Sequence, residues 1–286
     1  MGLLDDMRKQ ATQTGAKIQT SEAADLEKIL NKLFYLDKNI EEETRFLHNV
    51  MTRGLESQER VGLHASAIIK PEKSFCLRQQ VLSLMYRQLQ GEQVSIGLRR
   101  IFSEGDAIHE KWQRLFIRGG YATADDLDVT QFDKRFHISF TPDIICRIPE
   151  FYNGEMIGEI KSVNTFQFKK MRKHPTASLQ CQFYMYLTGC KKGFVLNEDK
   201  NTQDFKVEVY DYDYDVVKPF IERCRGIKRG YNNVLRNNKI VKRPEDATSS
   251  SCKRCKECAL RNSCWCEAGG KQLINERLEQ YRKPFE

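Results

Sequence analysis

The chain has 286 residues, 40% hydrophobic and 30% charged, with a net charge of +8, enough to bury a sizeable core as one elaborate domain or one domain plus an appendage. No stretch approaches the roughly 18 consecutive apolar residues of a membrane helix. The opening MGLLDDMRKQ lacks an apolar signal-peptide region, and Asp6 stands where a myristoylation motif wants Ser or Thr, so a soluble, cytoplasmic protein is expected.

Residues 1–20 are polar. Residues 22–52 read as one long helix, since Leu26, Leu33, Ile40 and Leu47 recur at a spacing of seven. The companion phase, Leu30, Asp37, Thr44 and Met51, is only half apolar, which favours packing on the rest of the protein over a coiled coil. This helical extension, 1–60, is set apart from a main domain at 61–286. Helices are expected at 74–90 and 98–118; in the latter Phe102, Gly105, His109, Trp112 and Phe116 share one face, so His109 points inward with the apolar stripe. A lone histidine there is more often a packed core residue than a ligand. Strands are expected at 134–148 and 155–163, separated by a turn containing Asn153-Gly154. A helix at 176–188, strands near 192–197 and 204–213, a basic helix near 215–238 and a Cys-rich, loop-like tail at 244–268 complete the chain. Strands mixed with helices at this spacing imply an α/β sheet with helices packed on it.

Within GEMIGEIKSVNTF, residues 154–166, side chains alternate, so Glu159 and Lys161 project from one face of a strand and Ile160 from the other. Asp143 follows Pro142 in the apolar run FTPDII. If the hairpin turn is centred near Phe151, Asp143 lies opposite Glu159; if it is centred on Asn153-Gly154, it does not. Two carboxylates converging beside a lysine suit a hard divalent cation such as Mg²⁺, which takes oxygen ligands and activates water at a phosphodiester. A bare Glu-x-Lys is also what a strand-edge salt bridge looks like. Gln180 and Tyr184, at i and i+4, share a helix face.

Basic residues cluster. Residues 225–243 carry seven Lys/Arg and no acid, and residues 161–173 carry five, with Phe166 and Phe168 interleaved. Such runs suit a polyanion whose bases can stack, or a solvated helix face. Five of the ten cysteines fall within 252–266, which in a cytosolic chain points to metal or iron–sulfur ligation before disulfides. Cys252, Cys255 and Cys258, with Cys264 or Cys266, have the local spacing of a Cys₄ zinc knuckle. Cys146, Cys181, Cys190 and Cys224 read as core residues.

Taken in order, Gly105…His109, Pro142-Asp143, Glu159-Ile160-Lys161 and Gln180…Tyr184 resemble the RecB-like branch of the PD-(D/E)-x-K nuclease superfamily. Phe75-Cys76-Leu77-Arg78 and Cys255-x2-Cys258-x5-Cys264 narrow the likeness to the iron–sulfur form of that fold. This form is found in the CRISPR-associated RecB-like exonucleases of the Cas4 type, in related helicase–nucleases and in phage exonucleases. The resemblance covers roughly residues 70–268. It implies a restriction-endonuclease-like core, with a mixed central sheet flanked by helices. A [4Fe–4S] cluster on Cys76, Cys255, Cys258 and Cys264 would clamp the N- and C-terminal parts; zinc is the alternative. It also implies Mg²⁺ or Mn²⁺ held by His109, Asp143, Glu159 and the Ile160 carbonyl, Lys161 acting on water, and Gln180 and Tyr184 shaping the site. The activity implied is a DNA exonuclease on single-stranded ends, 5′→3′, used in recombination, repair, replication or CRISPR-type processing. Its setting would be the cytoplasm, or a host's cytoplasm if phage-encoded, with a recombination or CRISPR-adaptation protein as partner. The competing expectation is a catalytically silent DNA-binding or docking subunit with a Cys-rich metal site.

Overall fold

The structure, a computed structural model, describes residues 20–55, 63–85, 96–237, 239–256, 258 and 260–265. The N-terminal stretch 1–19, the last part of the helix expected at 74–90, and Cys266 lie outside them.

In chain order the elements are α1 (Thr20–Lys32), a 3₁₀ turn (Leu33–Tyr35), α2 (Ile40–Leu55), β1 (Leu63–His64), α3 (Ala65–Ile68), α4 (Leu77–Met85) and α5 (Ile96–Arg118). After a 3₁₀ turn at Ala124–Asp126 come β2 (Gln131–Asp133), β3 (Ile138–Phe140), β4 (Ile144–Ile148), β5 (Tyr152–Val163), α6 (Thr165–Lys170) and α7 (Ala177–Thr188). The remainder is β6 (Lys192–Asp199), β7 (Phe205–Asp211), α8 (Tyr214–Asn237), α9 (Lys253–Lys256) and α10 (Arg261–Trp265). The class is mixed α/β. Among the described residues no helix is long and apolar enough to cross a membrane.

Two expectations need correcting. The helix expected at 22–52 is two helices: the 3₁₀ turn ends in extended backbone at Leu36, and Asn39 restarts the chain by accepting the Glu42 N–H on its side chain at 3.3 Å. Asn followed by three glutamates is an N-cap signature, stronger locally than the seven-residue repeat that runs through it. The strand expected at 134–148 is likewise broken. Asp133 closes a turn by accepting the Arg135 and Phe136 N–H groups, and Pro142, which has no N–H to donate, separates β3 from β4.

The chain divides into two compact units. The first comprises 1–58, 95–131 and 140–218. Its sheet runs β4-β5-β6-β7, with β4–β5 and β6–β7 antiparallel and β5–β6 parallel. The parallel step is bridged by α6 and α7, the crossover such a pair requires. One sheet face is apolar: Ile144, Met156, Ile160, Phe194, Leu196, Val207 and Val209 join Leu26, Leu30, Trp112 and Phe116 in one core. Phe116 stacks on Phe194 at 5.8 Å, and each such side chain contributes about 1.5–3 kcal/mol on full burial. Leu26 and Leu33 of the seven-residue repeat are inside this core, whereas Ile40 is exposed, because the register is lost at the break. The other sheet face receives α7, which comes so close at Gly193 that a Cβ there would stand 2.6 Å from the Cys181 sulfur.

The second unit comprises 59–94, 132–139 and 219–286. Here β1 pairs in parallel with β3, Leu63 against Ile138. Arg223 binds the carbonyls of Ile68 and Lys70 at 2.7 and 2.5 Å and lies over the Phe75 ring. Gly230 of α8 meets Val81 of α4, where a Cβ would be 2.8 Å from the valine methyl.

Candidate active site

The β4–β5 hairpin decides the register that sequence left open. Phe151 N–H closes the turn on the Ile148 carbonyl at 2.9 Å, and Asn153-Gly154 lies inside β5 rather than at its tip. Ile144 is paired with Gly158, so Asp143, one residue before β4, stands against Glu159. Its Oδ2 accepts the Ile160 N–H at 2.7 Å, which fixes the carboxylate beside the strand. Its backbone carbonyl is held by the buried Gln113 amide at 2.9 Å.

Glu159 is fully buried. Its Oε2 accepts a hydrogen bond from Lys161 Nζ at 2.9 Å, while Oε1 has no partner. Burial, reinforced by the Asp143 charge, pushes its pKa well up, and Lys161 opposes this only in part. Burial works against the Lys161 ammonium too, but Glu159 and Asp143, the latter 3.6 Å away, outweigh it and hold the pKa above the ordinary value. From α5, His109 Nδ1 reaches Asp143 Oδ1 at 3.5 Å. The apolar stripe assigned to that helix holds at Trp112 and Phe116 and fails at Phe102, which is half exposed. Gln180 Nε2 donates to the Tyr184 hydroxyl at 3.0 Å. Tyr184 is buried, its ring 5.6 Å from that of Phe140; burial and then the Glu159 charge raise its pKa. Ile160 is buried in the apolar core, and its N–H is taken by Asp143.

Thus His109, Asp143, Glu159 and Lys161 come together in the first unit, and Gln180 with Tyr184 packs on the same sheet face through α7. Among the described residues no three His, Cys, Asp or Glu side chains stand in the close convergence that holds a metal ion. The orphaned Glu159 oxygen nevertheless fits a divalent cation. A buried carboxylate oxygen without a donor is costly, and Glu159 and Asp143 present the hard oxygen donors such an ion takes.

Sequence reasoning missed a second polar group on this face. Asn197 of β6 donates through Nδ2 to Glu208 Oε1 at 2.7 Å, and Glu208 also takes the Tyr210 hydroxyl and the His174 N–H. His174 Nδ1 in turn accepts the Ala177 N–H at 3.1 Å; burial and then the Lys161 charge lower its pKa to about 4, keeping it neutral. Alternation along the strand, Val195, Asn197, was the available signal, since it puts Asn197 on the site face.

The basic run 161–173 is sorted by the fold. Phe168 is buried with Lys206 over its ring, whereas Phe166 is exposed with Lys170 4.0 Å from its ring centre. Lys169, Lys170 and Arg172 face solvent.

In the second unit Cys76, Cys255, Cys258 and Cys264 line one small cavity, with Arg78, Arg243, Arg254 and Arg261 around them. Cys252 is not among the lining residues. Arg78 Nε donates to Cys264 Sγ at 3.1 Å, and the Arg243 guanidinium holds the Cys264 carbonyl. Thiols beside guanidinium groups are the donor chemistry of a thiolate-held metal or cluster, whose negative charge arginines offset, but among the described residues no three of these thiols converge closely enough to hold one. Cys146, Cys181, Cys190 and Cys224 are buried.

No family model matches the chain, and no curated protein matches it. Among solved structures it is similar to LHK-Exo, an alkaline exonuclease from Laribacter hongkongensis crystallised with dAMP, at 15% identity over 60% of this chain and 89% of that one, with a TM-score of 0.46. It is similar also to SSO0001, at 16% identity over 79% of this chain and 96% of that one, with a TM-score of 0.43.

Proposed function

We propose that this chain is a metal-dependent DNA nuclease, acting as an exonuclease on single-stranded ends in the 5′→3′ direction in the cytoplasm. The observation that carries the reading is Glu159: a fully buried carboxylate with an unpartnered oxygen, opposite Asp143 and beside Lys161. The salt bridge to Lys161 meets only one of its oxygens, and a divalent cation would meet the other.

In this reading His109, Asp143, Glu159 and the Ile160 carbonyl hold Mg²⁺ or Mn²⁺. Such an ion, when bound, lowers the pKa of water and offsets charge developing on a phosphodiester. Lys161 holds the attacking water in line through its N–H groups. Gln180 and Tyr184 wall the site and donate to the substrate backbone. Lys169, Lys170 and Arg172, exposed just beyond β5, bind phosphates, which positions a strand without reading its sequence. Cys76, Cys255, Cys258 and Cys264 hold a [4Fe–4S] cluster in a structural role.

A second reading, a catalytically silent DNA-binding or docking subunit, draws on the lack of close metal-holding geometry among the described residues. The exposed Phe34 and Tyr35 between α1 and α2, with Ile40 at the start of α2, would then meet a recombination or CRISPR-adaptation partner.

Digestion of end-labelled single- and double-stranded DNA by anaerobically purified protein separates the two. Mg²⁺- or Mn²⁺-dependent shortening from one end, absent in Glu159→Ala although DNA is still bound, is the expected result. Binding without cleavage in the wild type would establish the silent subunit instead.

A further inference from the structure

Lys161 and Asn197 are Cα partners in the parallel β5–β6 pair. Their side chains therefore leave the same sheet face one strand spacing apart, about 4.8 Å. Asn197 is 1% exposed. Its Nδ2 is fixed on Glu208 at 2.7 Å, and its Oδ1 has no partner. A carboxylate cannot accept from the amide oxygen, so Glu208 sets the orientation of this amide. Two buried oxygens thus go unmet on one sheet face, Glu159 Oε1 and Asn197 Oδ1, where native proteins leave very few.

The Lys161 ammonium has three N–H donors, and its acidic partners are Glu159 at 2.9 Å and Asp143 at 3.6 Å. These are the carboxylates that a bound cation takes in the reading above, on which this inference rests. A divalent cation on these carboxylates would stand close to the ammonium and repel it, which drives Lys161 off Glu159 Oε2 toward another acceptor. His174 offers it no seat, because Nδ1 already accepts the Ala177 N–H and the other ring nitrogen of a neutral imidazole carries the proton.

We infer that Asn197 is a positioning residue: its Oδ1 is the second seat of the Lys161 ammonium, occupied when a divalent cation holds Glu159 and Asp143. The two orphan acceptors are then satisfied together, one by the ion and one by the lysine it displaces. Metal occupancy and the placement of Lys161 become a single event, and the Tyr210–Glu208–Asn197 chain holds the seat rigid.

The test is Mn²⁺ binding by calorimetry to the wild type, Asn197→Leu, Lys161→Met, the double variant and Glu159→Gln. Asn197→Leu is expected to weaken Mn²⁺ binding by about tenfold, the low end for a charge-assisted hydrogen bond. In the Lys161→Met background the same change is expected to do nothing, since no displaced ammonium needs a seat. Equal weakening in both backgrounds, or none in either, overturns the inference. A further measurement needs no change at Asn197: Mg²⁺ should shift the Asn197 side-chain amide resonance in the wild type and leave it in place in Lys161→Met, and a shift in both overturns the inference even if Asn197→Leu does not fold. If the wild type and Glu159→Gln bind Mn²⁺ alike, the cation site itself falls. If only Glu159→Gln loses binding while Asn197→Leu and Lys161→Met act independently, the inference alone falls.

Discussion

Glu159 keeps one oxygen on Lys161 and leaves the other buried without a donor, as Asn197 does its Oδ1 on the same sheet face, so this face is a local weakness. Anything that binds only the folded state there must stabilise it by mass action. A divalent ion at a hundred times its Kd adds about 2.7 kcal/mol, which for a chain of this size raises Tm by roughly 5–10 °C. The expected outcome is such a shift with Mn²⁺ in the wild type and none in Glu159→Gln, a neutral replacement of the same shape; equal shifts in a thermal melt would remove Glu159 from the ligand set. The Glu-x-Lys pair and the Pro-Asp step were legible in the sequence because strand alternation alone puts Glu159 and Lys161 on one face. The pairing of Asp143 with Glu159 was not, since a one-residue difference in where the hairpin turns changes every partner. Alternation along β6 puts Asn197 on the site face, but its partnership with Glu208, and through it with His174, comes from the neighbouring strand and the loop before α7, which no local spacing encodes.

At the scale of elements, the junction of α2 with α5 rests on one buried acid. Glu43 accepts from Arg118 Nε at 2.7 Å and Arg114 Nε at 2.8 Å. The Arg118 hydrogen bond, against the cost of burial, holds its pKa down at about 2. A carboxylate depressed in the folded state contributes stability that is fully present above its unfolded pKa, near 4.5, and is lost as pH falls through that value toward 2. Taken in full, the drop from 4.5 to about 2 is on the order of 3 kcal/mol, but solvent reaches Arg114 and Arg118 and its screening leaves about 1–2 kcal/mol. Glu43→Gln should therefore lower the unfolding free energy by about that much at pH 7, with the gap to wild type closing between pH 4.5 and 2. A gap that stays constant across that range in denaturant titrations would show packing, not charge, to be at work. The sequence foretold that this helical stretch packs on the rest of the protein. It did not foretell the break after Leu33, because a seven-residue repeat spans a two-helix turn as easily as a continuous helix when the polar residues between are few. The ends of α7 and α8 fell within a residue or two of expectation, since Gly189 and the strand residues around them punctuate the chain clearly.

Across the whole molecule, each compact unit is assembled from three separated stretches of chain, so contacts distant in sequence decide what each unit can bind. The cysteines are the clearest instance. Spacing alone allowed a local knuckle built on Cys252, Cys255 and Cys258, yet in the second unit Cys76 lines the cavity with Cys255, Cys258 and Cys264 while Cys252 does not. Hydrogen bonds also reach Cys76 and Cys264 from neighbouring residues, while the Cys252 and Cys255 thiols bond each other. Gln79 N–H points at Cys76 Sγ, Arg78 at Cys264 Sγ, and Arg254 bridges Asp246 to the Phe75 carbonyl next to Cys76. A ligand set that joins Cys76 to the C-terminal cysteines closes a long loop, and by chain entropy such a closure is worth about 4–5 kcal/mol, or roughly 10 °C in Tm for a chain of this length. Cys76→Ser is therefore expected to lose bound iron from anaerobically purified protein and to melt about that much earlier, whereas Cys252→Ser keeps both. Iron and zinc analysis with a thermal melt reads the outcome directly. The reverse pattern, zinc retained in Cys76→Ser and lost in Cys252→Ser, would make the C-terminal segment a self-contained knuckle and leave Cys76 a partly exposed thiol beside it.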